Sequence, residues 1–499
     1  MVDRMETAED FGSGPDVEVR YWLAQIEKAS KDEEEWRKRA DDVVKRFRDE
    51  KKRSGRNRFN ILWSNTEVLK PAVYGRTPRP DVRRHHSQEG MGDATEMLER
   101  ALTYSMDDEN FDEIILKTVQ DYLLPGRGTM RVRYEPQFKT ETVQIPVGEM
   151  AGRFDPNTGD VSPPTFHRAD TGEQVSDEDG AAGFLTEEVE MLADERAPAE
   201  YVYWADIRLI QGGHSWEDVH AIAFRHFMTR RELKEQFGAV GAQVQLTQAP
   251  TNLQFQAYEG DELAATDLFH RAEVWEVWDK VSRDVIFVSK GHQTTLHRMK
   301  DPLELTGFFP IPKPIYSIET NDTTVPIPEY CMYQDQAKEL DLVTARIDIL
   351  VHALKVRGVF DSTMQVINEI VKGDDNKMIG VENWQALVEK GGLDGVVSWM
   401  PIEQIAKVLS GLYQHRNDLI QVIYQITGIS DIFRGASDPN ESATAQRLKG
   451  TFGNLRLRPR QLLIQRFIRD LLRIKAEIIA KHFSTETLQR MSGVQVSEE

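Results

Sequence analysis

Residues 402–427 constrain the fold more than any other stretch. Apolar side chains stand at Ile402, Ile405, Leu409, Leu412, Leu419, Ile423 and Ile426, with mostly polar residues between them. Steps of three, four and seven place these on one stripe of a helix. Gly428 follows, and glycine just past a helix accepts the left-handed conformation that ends it. Residues 429–437 then read as a loop, and Asp438-Pro439-Asn440-Glu441 restarts a helix. Asp suits the N-cap, Pro the first helical position, and Glu the third, where a capping box needs it. The spacing predicts helix, tight loop, helix.

A second periodic run spans residues 329–355, with Tyr333, Ala337, Leu340, Val343, Ile347, Leu350, Val351 and Leu354 on its stripe. Both helices come to roughly 40 Å at 1.5 Å per residue. Two matched helices suggest an antiparallel stalk, with residues 356–400 as a small compact head. An isolated two-helix stalk buries one face of each helix and is marginal in water. A ring of copies would supply the missing neighbours, so oligomerisation is expected, with Leu340, Ile347, Leu350, Leu409, Leu412 and Ile423 as stalk-packing residues.

Earlier in the chain, residues 17–53 read as a charged, solvated outer helix, and residues 60–74 as a shorter one. Gly75-Arg76-Thr77-Pro78-Arg79-Pro80 should be extended, since residues before proline avoid the helical region. Residues 95–124 read as one long helix stopped by Pro125-Gly126. Strand patterns follow at 129–134, 201–210, 219–227, 273–279 and 285–289. Residues 148–199, rich in Gly, Pro, Asp and Glu, read as a long surface excursion, in part disordered. Thr229-Arg230-Arg231-Glu232 caps a helix ending at Gly238, and residues 243–267 read as loop. Five prolines within 308–328 predict an extended arm or domain boundary.

The formal net charge is −20 over 499 residues, so the chain should repel DNA in bulk and touch it only locally. Against this, residues 447–481 hold ten Lys and Arg and only two acids, Asp470 and Glu477. That run either pairs with acidic neighbours or faces a phosphate backbone, where each cation gives a salt-dependent contact. Arg434, Arg447, Lys449 and Arg456 are the candidates to face DNA. The one cysteine, Cys331, excludes an intrachain disulfide and fits a reducing compartment. No apolar run approaches the ~18 residues of a membrane span. The acidic residues 1–16 lack a signal core and read as a flexible tail.

No enzyme signature is present: neither G-x-x-x-x-G-K-[ST] nor H-E-x-x-H occurs. His85-His86 point to different faces of any regular element, and Asp107-Asp108 and Asp374-Asp375 lack a partner histidine or a placed lysine. No catalytic, metal or cofactor site is expected.

Several stretches, in order, resemble tailed-bacteriophage portal proteins of the P22-like group. "NILWSNTEVLKPAVYGRTPRPDV" and "DYLLPGRGTMRVRYEP" are similar to the N-terminal part, "AIAFRHFMTRRELKEQFG" and "RAEVWEVWDK" to the wing, "FFPIPKPIY" and "QDQAKELDLVTARIDIL" to the approach and first stem helix, and "ITGISDIFRGASDPNESATAQRLKG" to the end of the stem, the tunnel loop and the tunnel helix. The resemblance implies a mainly helical α+β portal fold with a β-rich wing, two-helix stem, small α/β clip and helical crown. It divides the chain into N-terminal and wing region 1–327, first stem helix 328–355, clip 356–401, second stem helix 402–427, tunnel loop 428–440, and tunnel helix with crown 441–499. Ile429, Ser430, Asp431, Ile432, Phe433, Arg434, Gly435, Ala436 and Ser437 would form the tunnel loop. The family implies a ring, typically of twelve, at one capsid vertex of the virion, assembled in the host cytoplasm. Double-stranded DNA would pass through it during packaging and ejection. Terminase large subunit, head-to-tail adaptor, and major capsid and scaffolding proteins are the implied partners. The chain departs from P22 itself in leaving no room for a long C-terminal barrel. Two rival readings remain: a metal-dependent DNA-processing enzyme, and another neck or tail ring that does not conduct DNA.

Overall fold

The computed structural model describes residues 15–50, 57–83, 91–150, 165–168, 174–175, 184–211, 213–247, 270–354, 358–360, 384–389, 397–399, 402–429 and 443–493. These are mixed α and β, 54% helical and 23% strand, so helix dominates.

The charged N-terminal run is two helices, α1 (Pro15–Asp32) and α2 (Glu34–Phe47), and neither is a solvated outer helix. Their few apolar residues are large and share one side. Val19, Trp22 and Ile26 are buried against a β-sheet, while Trp36 packs on Trp204. α3 (Ile61–Val73) starts at Asn60, whose side chain accepts from the Trp63 N–H at 3.2 Å. The expected long helix over 95–124 is α4 (Met91–Asp108) and α5 (Phe111–Leu123), because Asn110 adopts φ 52° between them. Asparagine tolerates that left-handed region better than most residues.

The strands follow. A five-stranded antiparallel sheet joins β7 (Ile207–Gln211), β8 (Val219–Met228), β9 (Ala272–Asp279), β10 (Asp284–Ser289) and β11 (His297–Lys300), in spatial order 11-10-9-8-7. Alternation on β9 sends Val274 and Trp278 into the main core and Trp275 and Val277 beneath α1. The expected strand over 201–210 is split in two. Its first part, β6 (Ala199–Val202), pairs with β1 (Arg127–Val132), which is buried along its whole length.

The excursion over 148–199 is mainly a long ribbon in the described residues. β2 (Glu135–Met150) pairs antiparallel with β5 (Phe184–Arg196), and β3 (Thr165–Arg168) and β4 (Gln174–Val175) extend the sheet. Low hydrophobicity there marks exposure on both faces rather than absence of strand: Phe138, Val189 and Met191 are exposed. α6 (Arg230–Gln243) has the Thr229–Glu232 capping box, and Gly238 breaks its helical geometry at φ 57°.

The proline-rich stretch 308–328 is not an arm. Phe308, Ile311, Ile315 and Tyr316 are buried, and β12 (Ile315–Tyr316) pairs with β1. β13 (Ile318–Thr320) and β14 (Thr323–Ile327) form a hairpin. Pro310, Pro312, Pro314 and Pro328 lie outside the strands, and Pro326 sits in β14 beside a register shift, where no ladder N–H is needed.

The stalk comprises α7 (Gln334–Ala353) and α9 (Ile402–Thr427). Between them the described pieces are β15 (Gly358–Phe360), α8 (Trp384–Glu389) and β16 (Val397–Trp399), with β15 and β16 antiparallel. The two stalk helices are unequal, 20 and 26 residues. Residues 329–332 form a 3-10 turn after Pro328, and Tyr333, at φ −132°, precedes the α-helix. The 40-residue α10 (Ala443–His482) and the short α11 (Thr485–Ser492) complete the described chain.

Candidate assembly and channel elements

The stalk helices meet along an inner stripe. Leu340, Ile347 and Ile423 are buried, Leu409 and Leu412 pack half-buried on the same cluster, and Leu350 is half-buried. His415 of α9 contacts Glu339 near the start of α7 at 3.1 Å, while β15 and β16 join the far ends. The helices therefore run in opposite directions. At the base, the guanidinium of Arg46 in α2 forks onto Asp341 at 2.7 and 2.9 Å. Arg460 of α10 forks likewise onto Glu329 at 2.9 and 2.6 Å. Bidentate pairs of this kind fix direction as well as distance, so the first stalk helix is clamped to α2, and the 3-10 turn leading into it to α10.

A second set of apolar residues on the stalk has no cover among the described residues. Ile349 is 61% exposed, Leu342 54% and Val408 56%. Val351, Tyr413, Val422 and Ile426 are also exposed. Leu342 and Ile349 lie seven residues apart, opposite Leu340 and Ile347, and Val408 and Val422 lie fourteen apart. Heptad spacing of this kind returns side chains to one line on a helix.

At the end of α9, Gly428 has φ +72° and its N–H donates to Tyr424 O at 2.8 Å. The helix stops there by the left-handed glycine cap expected at this position. Ile429 is buried. Ser430–Ser437, including Arg434, lie outside the described residues. Arg447 and Lys449 lie on the α10 backbone, with side chains outside the described set. Arg456 donates to the carbonyls of Gln425 and Ile426 at 3.2 and 3.3 Å. That guanidinium is committed to unpaired carbonyls at the negative end of α9, which makes it a capping residue.

The basic run divides along α10. Lys475 is buried and ion-paired with Glu109; burial pushes its pKa down, and Glu109 pulls the other way. Lys481 donates to Glu304 O, and Arg469 and Arg473 share Asp470. Arg458 and Arg466 are exposed and have no ion pair among the described residues. They share an outer stripe with exposed Leu455 and Leu462.

Three buried polar groups lay outside the reach of sequence reasoning. Glu33 pairs with Arg127 at 2.5 Å and with Arg37, and Arg127 sits 4.3 Å over the Trp36 ring. Burial pushes Asp121 up to about 7, against the hydrogen bonds from Tyr201 Oη and the Trp204 N–H. Burial also raises Glu276, but the His226 hydrogen bond and the Arg131 charge outweigh it and hold it at about 2. No group of three or more His, Cys, Asp or Glu among the described residues could hold a metal ion. His85-His86 and Asp374-Asp375 lie outside them.

No protein-family model matches the sequence, and no curated protein matches it either. Among the described residues, no helix is long and apolar enough to cross a membrane.

Proposed function

We propose that the chain is a portal protein of a tailed bacteriophage, of portal fold. Identical copies form a ring, twelve in the family's usual pattern, at one capsid vertex. The reading is carried by the stalk. Its antiparallel helices bury one apolar stripe within the chain and leave a second, at heptad spacing, without cover among the described residues. A monomer has no use for that second stripe, whereas copies side by side bury it. The long basic α10, on a chain of net charge −20, supports a conduit that meets DNA only locally. An evenly basic lining would release counterions at every contact and hold the DNA.

In this reading the ring is passive in DNA packaging and ejection. Residues 356–401 are the clip that docks terminase and later the head-to-tail adaptor, and residues 428–440 line the channel. Deleting Ser430–Ser437 tests the channel role. The expected result is rings of normal size with impaired DNA packaging or retention; rings that fail to assemble would assign the loop to structure instead. A ring protein that does not conduct DNA would show no packaging defect from the same deletion.

A further inference from the structure

The segment 74–83, together with α4 and α10, lines a groove of about 890 Å³. Its floor is apolar, formed by half-buried Leu98 of α4 and Leu472 of α10, with Leu102, Ile464 and Ile468 buried beside them. The lining on α10 runs from Gln461 to Ala476, which makes the groove about 22 Å long at 1.5 Å per residue. Five arginines rim it: Arg76, Arg79, Arg83, Arg469 and Arg473. Asp81 neutralises Arg83 at 2.6 Å, and Asp470 is shared by Arg469 and Arg473 at 2.8 and 3.4 Å. Arg76 and Arg79 are exposed and have no acidic partner among the described residues.

The wall carrying these arginines is fixed although it has no regular secondary structure. The hydroxyls of Tyr74 and Thr77 both donate to the Asp112 carboxylate. Further along, the Val82 N–H donates to Glu99 at 3.1 Å. Pro78 and Pro80 restrict the backbone between those anchors. A groove held open in this way pays less ordering cost when it binds.

We infer that this groove binds an acidic amphipathic helix presented by a partner protein. A helix about 15 residues long matches the length of the groove. Its apolar stripe would cover what remains accessible of Leu98 and Leu472, which are half-buried, and carboxylates beside that stripe would meet Arg76 and Arg79. A phosphate backbone would satisfy the arginines but has no apolar face for the floor. The inference stands apart from ring assembly.

The test uses the purified full-length chain and a fluorescent peptide of about 15 residues. The peptide carries leucine at helical three-four spacing and glutamate between. Saturable binding by anisotropy is expected. It should weaken at least about tenfold for Arg76→Glu/Arg79→Glu, and likewise when the peptide's glutamates become glutamine. Leu98→Glu should weaken it through the floor. Circular dichroism and particle size should be unchanged in the arginine variant, since both side chains are exposed. No saturable binding, or equal binding by the arginine variant, overturns the proposal. So does a short DNA duplex that binds more tightly than the peptide and is lost in the same variant. Loss of self-association in the arginine variant would assign the face to contact between copies, and also overturns it.

Discussion

At the scale of single residues, the most consequential contacts join charges far apart in the chain. Glu33 is buried between Arg127 and Arg37, with the Arg127 side chain fully enclosed. Arg127→Met should cost about 3–5 kcal/mol in urea unfolding, because it leaves a buried carboxylate short of a partner; a loss below about 1 kcal/mol would contradict the pairing. Gly428→Ala should cost about 1–2 kcal/mol, since the position is left-handed and a Cβ would collide with the Arg456 side chain. Asp121 gives a pH signature. Its folded pKa is raised to about 7, so the stability it contributes is full below its ordinary value of 3.8 and lost as pH rises through about 7. Asp121→Asn keeps an acceptor for Tyr201. The unfolding midpoint of the native chain, taken relative to this variant, should therefore fall between about pH 4 and 7. A constant difference would contradict the assignment. The Thr229–Glu232 box and the Gly428 stop were legible in the sequence because caps are local, set by residues three or four apart. Glu33, Arg127 and Asp121 were not, because their partners come from the fold.

At the scale of elements, periodicity was reliable for existence and weak for breaks. The stripe through Leu340, Ile347 and Ile423 was readable and is buried. The junction at Asn110 was not, because the apolar residues of α4 and α5 continue past it without an obvious change of pattern. The α1–α2 pair was misread for a different reason: its apolar residues are sparse, but Trp22, Ile26 and Trp36 are large enough to make a buried face. The β2–β5 ribbon was missed because strands exposed on both faces show no clean alternation. The two faces of α7 separate folding from assembly. Leu340→Ala, at a fully buried site, should destabilise the chain itself by about 2–5 kcal/mol. Ile349→Asp, at an exposed site, should leave the helical circular dichroism signal intact and abolish self-association. Assembly that survives Ile349→Asp would mean the outer stripe faces water. Leu350, half-buried at the same end of α7, should lose assembly in Leu350→Asp as well.

At the scale of the whole molecule, a clamped stalk and a basic α10 belong to one acidic chain. Arg46–Asp341 and Arg460–Glu329 tie the base of the stalk to α2 and α10, so stalk contacts between neighbours would orient α10 in every copy. The net charge of −20 repeats in each copy, while Arg458 and Arg466 remain exposed. Contacts made through such arginines should weaken with salt, whereas stalk contacts made through Ile349 and Val408 should persist or strengthen. Negative-stain microscopy of the purified chain, with native mass across a concentration series, tests whether the chain forms a ring. Closed rings of one size, about twelve copies in the pattern of symmetric cyclic assemblies, with an open centre, are the expected result. A compact monomer that persists at high concentration would contradict it.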